Sequence, residues 1–231
     1  PKFSISTKRI IGAEALARWI HPEKGMISPA DFVPVFEENG FILKLDQKIW
    51  ESACRKIREW IDKGIEPVPI SVNISREYIH TFDVVGEMLH LVNKYDIPIK
   101  LLELEITETT DSEGVSDVVQ KMKDAGFTML MDDFGSGYSS LNMLQKTQFD
   151  VLKIDRGFLS EFMESSRGRK IISHTISMSR DIGLDIIAEG VETPEQASFL
   201  SDCGCDSAQG FYYSKPITQE EFDKMLVEVN K

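Results

Sequence analysis

From residue 69 onward the sequence alternates, six times in succession, between a short run rich in Val, Ile and Leu and a longer polar or helix-patterned segment. The short runs are "PISVNIS" (69–75), "LLELEIT" (101–107), "FTMLMDD" (127–133), "DVLKID" (150–155), "LDIIAEG" (184–190) and "DSAQGF" (206–211). Between them, "DVVGEMLHLVNKY", "VSDVVQKMKDA" and "GRKIISHTISMSRDIG" place apolar residues three and four apart, the spacing of amphipathic helices. "TPEQASFL" opens with a Thr N-cap, a Pro at the first helical position and an acid in the first turn. Strands separated by helical crossovers of this length pair in parallel, so the pattern predicts a parallel sheet clad in helices.

The start of the chain breaks the rhythm. "KFSIS" ends at Ser6 and "RIIGAEAL" begins at Arg9, a connection far too short for a crossover helix. These two runs are expected to pair antiparallel as a hairpin. Counting them gives eight strands, and an α/β, TIM-like (β/α)8 barrel whose first strand runs antiparallel to the rest fits both count and size. No Pro/Ser-rich linker or low-complexity run interrupts the 231 residues, of which 42% are hydrophobic, so one barrel domain over residues 1–231 is expected. Because the chain begins at Pro1 in mid-pattern, it is read as a fragment of a longer multidomain protein.

Charge narrows the function. With 38 acidic and 26 basic residues the formal charge is −12, and no dense Lys/Arg cluster with interleaved aromatics is present, so DNA or RNA is not an expected partner. Three cysteines, Cys54, Cys203 and Cys205, are an odd number, and the last two are too close for an easy disulfide. That points to a reducing compartment and a cytoplasmic domain; the parent protein has room for membrane attachment elsewhere, since no stretch here is apolar enough to span a bilayer and no signal peptide is visible. The "CGC" pair lacks a second Cys or His pair at finger-like spacing and reads as incidental thiols.

Chemistry on such a barrel sits at the carboxyl ends of its strands. "LMDDFGSGYSS" (130–140) ends one of them in two adjacent carboxylates, Asp132 and Asp133. Within a strand they would face opposite sides; if the strand ends there, with Gly135 and Gly137 turning the backbone, both lean over the same strand end. "GSGYSS" has neither a third glycine at dinucleotide spacing nor a "GK[ST]", so it is not a nucleotide-binding fingerprint. The other strand ends carry Glu14, Asn73, Glu105 then Glu108, Lys153 with Asp155, Glu189 then Glu192, and Gln209.

Each of these has an ordinary explanation alone: Glu14 paired with Arg18, Asn73 in a turn, Lys153 neutralising Asp155 or Glu189. Together, so many acids at one rim repel one another unless cations gather them. Carboxylates plus an amide oxygen, with no obligatory His or Cys, suit Mg²⁺ or Mn²⁺ better than zinc. Their number suggests two ions, with a carboxylate such as Asp132 bridging them, an arrangement that splits phosphate esters. Lys153 would hold the nucleophile or offset developing charge.

In order and spacing, "GAEALARW", "SVNIS", "LELEITE", "MDDFGSGYSSL", "LKID", "AEGVE" and "AQGFYYSKP" resemble the EAL domains, bacterial phosphodiesterases that hydrolyse cyclic di-GMP in second-messenger signalling. The resemblance spans nearly the whole chain. It implies that Glu14, Asn73, Glu105 and Asp132 ligate one metal, with Asp132 shared and Asp133 serving a second. Glu189 matches an essential glutamate described as second-site ligand or as general base, and both roles stay open. Lys153 resembles the lysine on the catalytic water, Gln209 the glutamine near it, and Arg18 a phosphate contact; Asp155 and Glu192 are further candidate substrate-facing positions. Glu108 resembles the glutamate that steadies the loop after the fifth strand, a loop implicated in dimerisation and in coupling to upstream sensory or regulatory domains. The implied product is linear 5′-pGpG. Ser136 stands where the family commonly has threonine.

Two other readings compete: a catalytically weak module that senses cyclic di-GMP, and a barrel metalloenzyme acting on another phosphate ester. The retained Glu14 and Glu108 favour the enzyme. Because an acidic rim repels a dianionic substrate, affinity is expected to depend on the divalent ion; Ca²⁺, larger and more loosely coordinated, is expected to be inhibitory.

Overall fold

The computed structural model describes residues 1–75, 77–78, 83–107, 114–137 and 140–230. In chain order the elements are β1 (Lys2–Ser4), β2 (Ile10–Glu14), β3 (Trp19–His21), β4 (Gly25–Ile27), α1 (Pro29–Glu38), α2 (Ile42–Asp62), β5 (Ile70–Asn73), α3 (Val84–Tyr95), β6 (Leu102–Thr107) and α4 (Val115–Ala125). There follow β7 (Thr128–Phe134), α5 (Ser140–Lys146), β8 (Val151–Ile154), α6 (Arg156–Met163), α7 (Ser166–Asp181), β9 (Asp185–Ala188), α8 (Pro194–Asp202), β10 (Ser207–Ala208) and α9 (Gln219–Val229).

Eight strands close into a barrel in the order β1-β10-β9-β8-β7-β6-β5-β2. β1 is antiparallel to both neighbours, β2 and β10, and the remaining pairs are parallel. The barrel and its reversed first strand agree with the expectation from sequence. Some strands are shorter than their apolar runs: the last is only Ser207–Ala208.

The period of two along each strand sorts residues between two environments. Outward-facing Val72, Leu104, Ile106, Met129, Met131 and Leu152 join the main apolar core with the helices, including Trp50, Ile57 and Trp60 of α2. Burying each such side chain contributes about 1.5–3 kcal/mol, so the stabilising layer lies between barrel and helices. The helix ends are tied down locally. Thr193 with Gln196 and Thr218 with Glu221 form capping boxes for α8 and α9. Asp223 then locks α9 to α2, accepting from Trp60 Nε1 at 2.6 Å and Lys56 Nζ at 3.1 Å.

One unit was not anticipated. β3 and β4 form a separate two-stranded hairpin, and α1 packs beneath it through Phe32 and Phe36 against Trp19. Trp19, Ile20 and Met26 of this small lobe line the same groove as Glu14, Glu189 and Gln209 of the barrel. Among the described residues no helix is long and apolar enough to cross a membrane. Cys54 and Cys205 are buried, Cys203 is half-buried, and all three are free thiols.

Candidate active site

Inward-facing positions form the site. Register partners on parallel strands project to the same side, so Glu14 of β2 lies with Ser71 of β5, and Asn73 of β5 with Glu105 of β6. Deeper in, Leu130, Val151 and Ile187 form a separate small apolar floor. Two residues further along come Asp132 of β7, Lys153 of β8 and, just past the end of β9, Glu189, above that floor.

Asp132 and Asp133 converge by a route other than the one expected. The strand does not end at them; β7 runs on to Phe134. Its pairing with β8 slips between Met131 and Phe134, and Asp133 adopts a left-handed backbone with φ 58°. A bulge of this kind re-aims a side chain, and a non-glycine residue held there costs on the order of 1–3 kcal/mol. The Asp133 amide recovers part of that cost by donating to Asp132 Oδ1 at 2.9 Å. The glycine turn comes afterwards. Gly135, at φ 98°, lies so close to Phe158 that a Cβ there would stand 2.4 Å from its ring.

Lys153 organises what results. Its ammonium, with no side-chain exposure, lies 2.7 Å from Glu189, 2.8 Å from Glu105, 2.9 Å from Asp132 and 3.3 Å from Glu14. Gln209 Nε2 donates to Glu14 at 2.7 Å and to Glu189 at 2.9 Å, bridging the two. Two carboxylate groups could each hold a metal ion: Glu14 with Glu105 and Asp132, and Asp132 with Asp133 and Glu189, ligand oxygens in each lying within 4.8 Å of one another. Asp132 belongs to both.

The field at this mouth is uneven. Burial pushes Glu189 up to about 8, with Asp132 and Glu14 adding to the rise against the pull of Lys153. Asp132 is likewise pushed up to about 7 by burial, against Lys153 and reinforced by Glu105 and Glu14. Asp133 is raised by burial and by the carboxylate of Asp155. Burial would raise Glu105 too, but Lys153 and Lys2 outweigh it and hold that carboxyl down at about 2. Burial alone would lower Lys153; the surrounding carboxylates hold its ammonium well above the ordinary lysine range.

The remaining candidates scatter. Asp155 accepts from the Phe158 amide at 3.1 Å as the N-cap of α6. Glu192 pairs with Arg156 at 2.8 Å on the surface. Arg18 donates to the Ala17 carbonyl at 2.7 Å and is not paired with Glu14. Arg18, Arg156, Glu192, Glu14, Glu189 and Gln209 all line one groove of about 1060 Å³ that opens beneath the β3–β4 lobe. Asn73 lies on the inner side, its carbonyl accepting from Trp50 Nε1 at 2.9 Å. Glu108 lies outside the described residues. Sequence reasoning missed Arg156 and the pair of buried Lys2 with half-buried Glu103; the alternation of glutamates in "LELEIT" was the available signal for Glu103, since it puts two acids on one face.

A model of the EAL domain family matches residues 1–216. The chain belongs to the EAL domain family. Among curated relatives of this EAL domain, the signaling protein YkoW of Bacillus subtilis is 34% identical over 99% of this chain and 29% of its own length. The bifunctional diguanylate cyclase/cyclic di-GMP phosphodiesterase MucR of Pseudomonas aeruginosa is 36% identical over 96% of this chain and 33% of its own length. The EAL domain thus spans about a third of these relatives. Among solved structures, a PaMucR phosphodiesterase in complex with c-di-GMP superposes with a TM-score of 0.89 at 36% identity, covering 96% of this chain and 91% of that one. The EAL domain of Mycobacterium smegmatis DcpA gives 0.82 at 26% identity over 99% and 93%.

Proposed function

We propose that this EAL domain hydrolyses one phosphodiester of cyclic di-GMP to give linear 5′-pGpG, with two divalent cations, Mg²⁺ or Mn²⁺, at the barrel mouth. The observation that carries the reading is the pair of carboxylate groups sharing Asp132, gathered around one buried ammonium. The donor set is oxygen-only, as hard cations require. Charge also fits. Glu14, Glu103, Glu105, Asp132, Asp133 and Glu189 face two ammonium groups, Lys2 and Lys153, leaving four negative charges when all are ionised, which two divalent ions match. Relatives named as cyclic di-GMP phosphodiesterases, such as NbdA of Pseudomonas aeruginosa at 32% identity, support the substrate.

In this reading Glu14, Asn73, Glu105 and Asp132 hold one ion, and Asp132, Asp133 and Glu189 the second; the grouping favours Glu189 as ligand over general base. Bound there, the ions would activate water and offset charge on the phosphoryl oxygens. Lys153 Nζ, between 2.7 and 3.3 Å from carboxylates of both groups, would orient the attacking oxygen. Gln209 fixes Glu14 relative to Glu189. Arg18 and Arg156 on the groove wall supply positive charge for a dianionic ligand. A homodimer, with Glu108 steadying the loop after β7 and upstream sensory domains acting through it, completes the proposal.

The test is product chromatography after incubation with cyclic di-GMP in Mn²⁺, in Ca²⁺ and in chelator. Conversion to 5′-pGpG in Mn²⁺ only, abolished by Glu14→Ala, is the expected result. Binding without conversion would make the domain a cyclic di-GMP receptor, and full turnover by Glu14→Ala would sink the metal assignment.

A further inference from the structure

Lys2 is a second buried lysine inside the barrel, 2% exposed, and no step above uses it. Its side chain passes over Gly12, where an added Cβ would stand 3.3 Å from Lys2 Cδ, so the glycine clears its path. Its ammonium donates to Glu103 Oε2 at 2.9 Å and lies 3.4 Å from Glu105 Oε1. Glu105 is therefore held at both ends, since its other oxygen, Oε2, meets Lys153 at 2.8 Å. Glu103 and Glu105 are two apart on β6 and share its inner side, so without Lys2 a half-buried and a fully buried acid would be neighbours with no cation between them.

We propose that Lys2 is a positioning residue for the metal centre, pinning Glu105 through Oε1 so that Oε2 alone is presented toward the cation site. This rests on the two-ion reading above and names a residue of this chain that enforces it. Lys2 is neutralised by Glu103, so its part is orientation more than repulsion of the ion. The two effects have opposite signs. If Lys2 acted only as a positive charge beside the site, its removal would tighten divalent binding; if it positions Glu105, removal weakens it, because the freed carboxylate turns toward another partner.

The deciding measurement is Mn²⁺ titration at fixed pH, followed by calorimetry and by the signal of free Mn²⁺ in electron paramagnetic resonance, on wild type, Lys2→Met, Lys2→Arg and Glu103→Gln. Lys2→Met is expected to weaken the tighter Mn²⁺ site about tenfold or more, as loss of an outer-shell partner does, while Lys2→Arg stays within about threefold of wild type. Glu103→Gln removes the charge of Glu103 but keeps an oxygen to accept from Lys2, and leaves the Lys2–Glu105 contact in place, so it should hold Mn²⁺ within about threefold of wild type. Unchanged or tighter Mn²⁺ binding by a folded Lys2→Met overturns the proposal. Should Lys2→Met fail to fold, Glu103→Gln decides: about tenfold weaker binding there would show that the charge of Lys2, no longer offset by Glu103, and not its contact with Glu105, sets the affinity, which overturns the proposal. A wild-type protein that binds no Mn²⁺ would instead reject the two-ion reading itself.

Discussion

The two sides of the barrel mouth treat the same kind of group in opposite ways. On the β6 side Glu105 touches Lys153 at 2.8 Å, and on the β9 side Glu189 touches the same ammonium at 2.7 Å. Glu105 is held down at about 2, whereas Glu189 is pushed up to about 8. Glu105 is fully buried and Glu189 is 15% exposed, so burial would raise Glu105 at least as much and does not explain the difference. Glu105 has a second lysine, Lys2, at its other oxygen; Glu189 has a neutral amide, Gln209, and the like charges of Asp132 and Glu14. One shared cation is thus spread over more acids than it can neutralise, and the deficit falls on the side facing the groove. The inner side is a finished ionic structure, while the groove side is stable as anions only with added positive charge.

The largest effect expected from this contrast is a split in stability between two substitutions that both destroy activity. In chelator at pH 7, Glu105→Gln removes one partner of a buried ion pair and should cost about 3–5 kcal/mol of unfolding free energy, read by urea denaturation. Glu189→Gln removes a carboxyl whose ionisation is opposed by its surroundings, and should leave stability within about 1 kcal/mol of wild type or above it. With Mn²⁺, each should lose more than the roughly hundredfold in activity that an outer-shell change costs. Equal destabilisation by both would erase the contrast.

Next in size is the pH dependence of the metal-free protein. The folded state binds protons on Asp132, at about 7, and on Glu189, at about 8, more tightly than the unfolded chain does. The stability they contribute is complete below their unfolded values near 4 and is lost as pH rises through 7 and 8. Glu105 works in the other direction: its contribution is present above its unfolded value and disappears as pH falls toward 2. In chelator the Tm should therefore fall between pH 5 and 8.5, by an amount on the order of 5–10 °C, and Mn²⁺ should flatten that fall because the ion takes the place of the protons. A flat profile in chelator would mean the groove-side acids are not opposed.

Much of this contrast could be read from sequence, and the part that could not has identifiable causes. Alternating apolar runs and helical segments report the barrel because each strand buries an outer face, and the short link before Arg9 reports the reversed first strand. Glu14, Glu105, Asp132, Lys153, Glu189 and Gln209 were legible because they terminate such runs. Lys2 was not, since a lysine next to the chain start reads as solvated until the partners across the barrel, Glu103 and Glu105, are in place. The backbone of Asp133 was also hidden, because the adjacent glycines offered a simpler explanation for the turn. The β3–β4 lobe escaped notice because its strands are only three residues each.

A smaller effect tests the bridge across the groove side. Gln209→Ala removes the hydrogen bonds that hold Glu14 and Glu189 at a fixed separation and leaves the ligands themselves intact. Mn²⁺ affinity or turnover should drop about ten- to a hundredfold, with unfolding free energy little changed. Turnover at the wild-type level would mean the two acids are positioned by Lys153 alone.

The smallest effect lies at the outer rim, where Glu192 and Arg156 pair at 2.8 Å with side chains 43% and 62% exposed. A pair this open contributes no more than about 1 kcal/mol, so Glu192→Ala should leave Tm nearly unmoved. Its consequence is electrostatic. Removing the carboxylate releases the Arg156 guanidinium and lessens the negative potential that a dianionic substrate must cross, so KM should fall about two- to threefold with kcat unchanged, and the gain should shrink with added salt. A KM that rises tenfold would instead make Glu192 a direct hydrogen-bonding partner of the substrate and would extend the demand for a carboxylate from the barrel mouth to the groove wall.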